Sequence, residues 1–219
     1  MSCLSLNHVK NCEVPSNYGK VCVKLELDTI CRILWVRRVL FMELKDAMLG
    51  RRSIRFYKTG KISQADIQAI IAAANMAPSW KNSQTPRYYV ATSEEAMNKV
   101  REALPERNTE NTKNAAALIV MTFERGRAGF MKNGSPDNEV GDGWGFFDNG
   151  LACQNLVLKA YELGYGSLIM GIRNEQVLRE NCSIPASQII TAVISLGVAD
   201  IDPTVPKRKE VEDMMVSLG

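Results

Sequence analysis

Residues 144–164, WGFFDNGLACQNLVLKAYELG, read as a helix that is apolar on most of its faces. A helix of this kind holds in water only where other elements cover it, so it is expected to be central and buried. Gly164 and Gly166 end it. The covering elements are legible around it. AAALIVMTF, 115–123, is a continuous apolar run that reads as a buried strand. QIITAVISLGVA is the last clear strand, RYYVAT an earlier one, and SLIMGI a strand or strand-like turn.

Helices alternate with these strands. MELKDAML reads as a short helix closed by Gly50. Ser63 with Asp66 three residues on is a capping pair, followed by Ile67, Ile70, Ile71 and Ala74 at helical spacing. Ser93 caps a third helix, expected to run to about Leu104, and Asn174 caps another, to about Asn181. A basic turn and a short helix are expected to close the chain. Residues 124–143, ERGRAGFMKNGSPDNEVGDG, form a long loop, expected to be mobile or a lid. The pattern is α+β.

At 219 residues, 46% hydrophobic and 23% charged, the chain suits one globular domain. No run reaches the ~18 apolar residues of a membrane span. ICRILWVRRVLFM is cut by Arg32, Arg37 and Arg38, and the N-terminus lacks the ordered zones of a signal peptide. A cytoplasmic protein is expected.

Residues 1–41 stand apart. They hold four of the six cysteines, the single histidine His8, and six basic against three acidic residues. The whole chain has 27 basic and 24 acidic residues, so residues 42–219 carry 21 of each. The first 41 residues are expected to be an extension, either loosely ordered or translated from a start upstream of Met42, with a genuine added strand or helix as the alternative. Their cysteines lack the spacing of a disulfide framework or a zinc site. A neutral main domain also argues against nucleic-acid binding.

From Met42 onward there is no histidine. Ser-His and Cys-His nucleophile pairs and histidine metal sites are therefore absent from this domain. No Walker loop and no GxGxxG follows a strand. Chemistry here points to an organic cofactor, with the protein supplying binding and electrostatics. Two basic groups lie at opposite ends of the domain. Arg51, Arg52 and Arg55 surround Ser53, and Lys207, Arg208 and Lys209 lie near the end. Each by itself reads as solvated surface charge. Together on a neutral domain they suit a shared phosphate, which wants several converging charge-assisted donors.

Four stretches in order, RRSIRFY, AANMAPSWKNSQTPRYYV, DNGLACQNLVLKAYELGYGSLIMG and PKRKEVEDMM, resemble the signatures of the nitroreductase family of FMN-dependent NAD(P)H oxidoreductases. The resemblance covers residues 42–219. It implies a nitroreductase-like fold, a central mixed, mostly antiparallel sheet flanked by helices, and an intertwined homodimer with flavins at the interface. It places Arg51, Arg52, Ser53 and Arg55 on the FMN phosphate and ribityl chain, with Arg208 and Lys209 closing on the phosphate. Pro78, Ser79, Asn82 and Gln84 would reach the flavin from the partner subunit, and the backbone of Met170 and Gly171 would line its ring.

It implies no catalytic side chain and no metal, because the flavin carries the chemistry. NADH or NADPH would donate electrons, and a nitroaromatic, quinone or enone would accept them. The side chains suit this, since Asn82 and Gln84 can both donate and accept at a flavin's pyrimidine edge. Phe130 and Met131 are candidates to cover the substrate side, and Trp80 to stack there. Asp148, Gln154 and Asn155 are expected to be buried and hydrogen-bonded without chemistry. Two alternatives stand beside this: the same fold with other flavin chemistry, such as reductive dehalogenation or flavin fragmentation, and a non-catalytic anion-binding module.

Overall fold

The structure, a computed structural model, describes residues 42–219. The expectations for residues 1–41 lie outside the described residues.

The core is a five-stranded sheet: β1 (Tyr57–Lys58), β2 (Pro86–Ala91), β3 (Ala117–Glu124), β4 (Gly166–Met170) and β5 (Gln188–Ala199). The order is β1-β5-β3-β2, with β4 also pairing β5, and every strand pair is antiparallel. The mixed character comes from one parallel bridge, between Ser53 and Ser167. Six helices among the described residues flank the sheet: α1 (Leu44–Gly50), α2 (Gln64–Asn75), α3 (Glu94–Arg101), α4 (Glu106–Asn111), α5 (Gly143–Glu162) and α6 (Glu175–Asn181).

The unbroken apolar run in β3 has its cause in this layering. Leu118 and Val120 pack with Met97, Val100 and Leu178 on the face covered by α3 and α6. Ala117, Ile119 and Met121 pack with Ile70, Leu156 and Ala160 on the face covered by α2 and α5. Both faces are covered, so the run is apolar apart from Thr122, whose buried hydroxyl donates to Gln188 Oε1 at 2.6 Å.

Three expectations change. The third helix stops at Arg101. Pro105 takes an extended conformation and opens α4, which the sequence pattern does not show. The closing helix is only a single 3₁₀ turn, Val211–Asp213, because nothing packs on it and a short exposed helix is not stable by itself. The long apolar helix α5 is buried along one stripe, Gly145, Asp148, Asn149, Ala152, Leu156, Val157 and Ala160. Phe146 and Phe147 remain exposed in the single chain. At Gly145 an added Cβ would lie 2.2 Å from the Phe123 ring, so only glycine lets α5 approach β3 there.

Candidate functional site

Between α1 and β1 the chain runs along the outer edge of β4. The Ile54 N–H donates to Ser167 O at 2.9 Å, beside the Ser53–Ser167 bridge. A Cβ on Gly166 would meet Ile54 at 2.6 Å, so glycine permits the approach. Ile54 is buried and anchors the segment, while Ser53 and Arg55 are exposed and Arg51 and Arg52 half-buried. Arg52 Nη1 donates to Leu49 O at 2.6 Å, satisfying a carbonyl in the last turn of α1, and to Arg51 O at 2.8 Å just beyond the helix. Among the described residues, none of the three arginines has a carboxylate within ion-pair reach. Three guanidiniums and a hydroxyl with no internal anion make a donor set suited to phosphate.

The same edge turns apolar at the end of β4. Met170 is buried, so only its main chain is free to line a ligand. Ile169 is 47% exposed and Ile172 75%. A Cβ on Gly171 would meet nothing within 4 Å. A basic strip therefore runs into an open apolar one.

The second group, Pro78, Ser79, Asn82 and Gln84, sits on the loop between α2 and β2, around a 3₁₀ turn at Trp80–Asn82. Lys81, Asn82 and Gln84 all have positive φ, 46°, 54° and 47°. Such residues cost on the order of 1–3 kcal/mol each and persist only where the surroundings over-determine them. The Ser83 and Thr85 hydroxyls are buried, with no hydrogen-bond partner among the described residues. The loop ties itself together: Ser79 Oγ accepts from the Gln84 N–H at 3.0 Å, and Ser79 O from the Asn82 N–H at 3.0 Å. The Asn82 and Gln84 side-chain amides are exposed, and neither makes a hydrogen bond among the described residues.

Residues 124–143 prove to be a tethered hairpin-like loop. Phe130 bridges Pro136, and the Asp137 N–H donates to Gly129 O at 2.7 Å. Trp144 Nε1 donates to Asn138 Oδ1 at 2.9 Å, and the Gly126 N–H to Asp142 Oδ1 at 2.7 Å. Its polar groups bond within it and to the start of α5. Met131 is exposed and Phe130 half-buried.

No hydrogen bond or ion pair joins the arginine segment to the 78–84 loop among the described residues. Arg208 and Lys209 are exposed on the terminal segment, and no ion pair or hydrogen bond among the described residues brings them to the arginines. Two grooves among the described residues lie mostly away from these residues. One, of about 800 Å³, runs past Lys61, Arg101 and Lys113. The other, of about 620 Å³, includes Arg55 alone of the predicted site residues.

Sequence reasoning expects Asp148, Gln154 and Asn155 to be buried. Asp148 is, at 3% exposure, whereas Gln154 is exposed and Asn155 half-buried, donating to Ala73 O at 3.3 Å. The helix turns Gln154 away from the buried stripe. Asp137 and Lys81 were not singled out from the sequence, because no spacing signals a contact 56 residues apart. Burial pushes the Cys153 thiol up to about 11 from 9.0, against a smaller opposing pull from Arg51. Its thiolate fraction is then about a hundredfold below an ordinary thiol's. Iodoacetamide at pH 8 should label Cys153 slowly in the folded protein and quickly after unfolding, as read by peptide mass spectrometry. Rapid labelling of the folded protein would contradict this packing. Among the described residues, no three His, Cys, Asp or Glu side chains are placed to hold a metal, and no helix is long and apolar enough to cross a membrane.

Residues 48–198 match the Nitroreductase family. The chain belongs to that family. An Archaeoglobus fulgidus protein named "Putative NADH dehydrogenase/NAD(P)H nitroreductase" is 34% identical over 151 residues, covering 67% of this chain and 80% of the relative. A crystal structure of an oxidoreductase containing FMN superposes with a TM-score of 0.67 at 25% identity, covering 80% of this chain and 91% of that one. A nitroreductase family protein from Clostridium novyi NT gives 0.64 at 25% identity, covering 73% and 86%. The family match ends at residue 198, so Arg208 and Lys209 lie beyond it.

Proposed function

We propose that residues 42–219 form an FMN-dependent oxidoreductase that takes hydride from NADH or NADPH and reduces a small organic acceptor such as a nitroaromatic, quinone or enone. The observation that carries this is the edge of β4. There Arg51, Arg52, Ser53 and Arg55, without a carboxylate partner among the described residues, adjoin the exposed Ile169 and the open backbone at Gly171. FMN needs this sequence of environments, an anion anchor followed by an apolar wall, so the residues fit the group. The name of the Archaeoglobus relative and the FMN content of the superposed oxidoreductase support the same reading.

Bound FMN would supply the hydride and electron transfer. The chain's part is to hold it and its partners in place. Arg51, Arg52 and Arg55 bind the phosphate by charge, with Ser53 adding a hydroxyl, and Arg208 and Lys209 close over it. The main chain at Met170 and Gly171 lines the ring. Asn82 and Gln84 hydrogen-bond its pyrimidine edge from a second copy of the chain. A homodimer is supported by the terminal segment. Residues 204–219 are exposed throughout, and Met214, Met215 and Leu218 are uncovered apolar side chains there. A partner would cover them, together with Phe146 and Phe147.

The test is the visible absorption spectrum of the purified protein, before and after NADH or NADPH is added without oxygen. A bound flavin that bleaches is the expected result. A colourless protein that takes up no added FMN would overturn the proposal.

A further inference from the structure

Trp80 is held from two sides by carboxylates that come from different parts of the chain. Its backbone N–H donates to Asp148 Oδ2 at 2.8 Å. Asp148 lies on the buried stripe of α5, and Trp80 is its one hydrogen-bond donor among the described residues. The indole Nε1 of Trp80 donates to Asp137 Oδ2 at 3.2 Å, and the same oxygen accepts from Lys81 Nζ at 2.7 Å. The Trp80 ring stacks at 4.4 Å on Trp144, and the Lys81 ammonium lies 5.6 Å over it. Directly after this fixed point comes the run of left-handed residues, Lys81, Asn82 and Gln84.

We infer that Asp148 and Asp137 are positioning residues: by clamping Trp80 they hold the strained 79–84 loop in the conformation that presents the Asn82 and Gln84 amides.

Two features support a built device over incidental contact. First, a buried carboxylate is costly in an apolar setting, and burial raises the Asp148 pKa while the Trp80 N–H partly offsets it. A neutral side chain would sit more cheaply among Ala74, Ala77, Pro78 and Tyr88. The carboxylate earns its place by the bond to Trp80. Second, the loop is unfavourable by itself, with three side chains at positive φ and two buried hydroxyls unpaired. Released at Trp80, it can relax to ordinary backbone angles and expose Ser83 and Thr85 to water. Asp137 sits on the tethered 124–143 loop, so the clamp also couples the two loops that differ most from regular structure.

This rests on the flavin reading for what the amides do, and the experiment separates the two. The variants are D148A, D137A and the conservative D137N, which keeps an acceptor for the indole. Asp137 lies on a surface loop, so D137A tests the clamp even where D148A fails to fold. Two quantities are measured. One is amide exchange at Asn82 and Ser83, whose N–H groups donate to Ser79 O and Trp80 O. The other is FMN affinity together with the shape of the flavin absorption band. The expected result is faster exchange in D137A and D148A, FMN affinity lower by about tenfold, and a changed band shape, with D137N close to the unmodified protein. If exchange, affinity and band shape are unchanged in D137A and in folded D148A, the clamp is overturned. If the unmodified protein takes up no FMN, the flavin reading fails, and the clamp stands or falls on amide exchange alone.

Discussion

Arg51→Ala and Arg208→Ala each weaken FMN retention by about tenfold or more. A charge-assisted contact to phosphate is worth roughly 1.5–3 kcal/mol, and each 1.4 kcal/mol is a factor of ten. Arg51 is half-buried at the end of α1 and has no carboxylate to neutralise it among the described residues, so an anionic ligand gains its whole charge. Arg208 is exposed on the terminal segment, and under the proposed function its effect comes from closing over the phosphate. Arg52→Ala is a less clean probe, since Arg52 also donates to Leu49 O in the last turn of α1 and to Arg51 O just beyond it. FMN titration followed by flavin fluorescence reads the effect, and it shrinks as salt rises because the site is partly open to solvent. Unchanged affinity in both variants would return these arginines to the role of solvated surface charge.

Leu156→Ala destabilises the fold by about 2–5 kcal/mol. Leu156 has no exposed surface and packs with Ile67, Ile70, Ile119 and Leu196, where α5, α2 and the sheet meet. The cavity left behind cannot collapse easily, because α5 is pinned by the close approach of Gly145 to Phe123 and by the bond from Asn149 Nδ2 to Thr122 O at 2.8 Å. For a chain of this size the midpoint should fall by about 2–4 °C for each kcal/mol lost. Thermal unfolding followed by circular dichroism checks it. A midpoint within 2 °C of the unmodified protein would show that α5 is not held as rigidly as its contacts imply.

The sequence by itself determined the layers. The apolar run of β3 and the capping serines Ser63 and Ser93 each report a local cause, and each sits where its pattern placed it; the long helix forms as its pattern indicates but is buried along one stripe only. The sequence also marked the arginine stretch, because like charges crowded into five residues need water or an anion. The family resemblance, carried by ordered motifs, added the candidate site residues. Only the tertiary structure decided which groups share a neighbourhood. The bridge from Ser53 to Ser167 and the pairing of Lys81 with Asp137 join residues far apart in the chain, and no periodicity encodes such contacts. The same holds for the exposure of Phe146 and Gln154 on a helix that reads as apolar nearly all round. Local pattern fixes which face of an element is apolar. What covers that face depends on how the other elements pack, and for the outer face of α5 nothing within the described chain does.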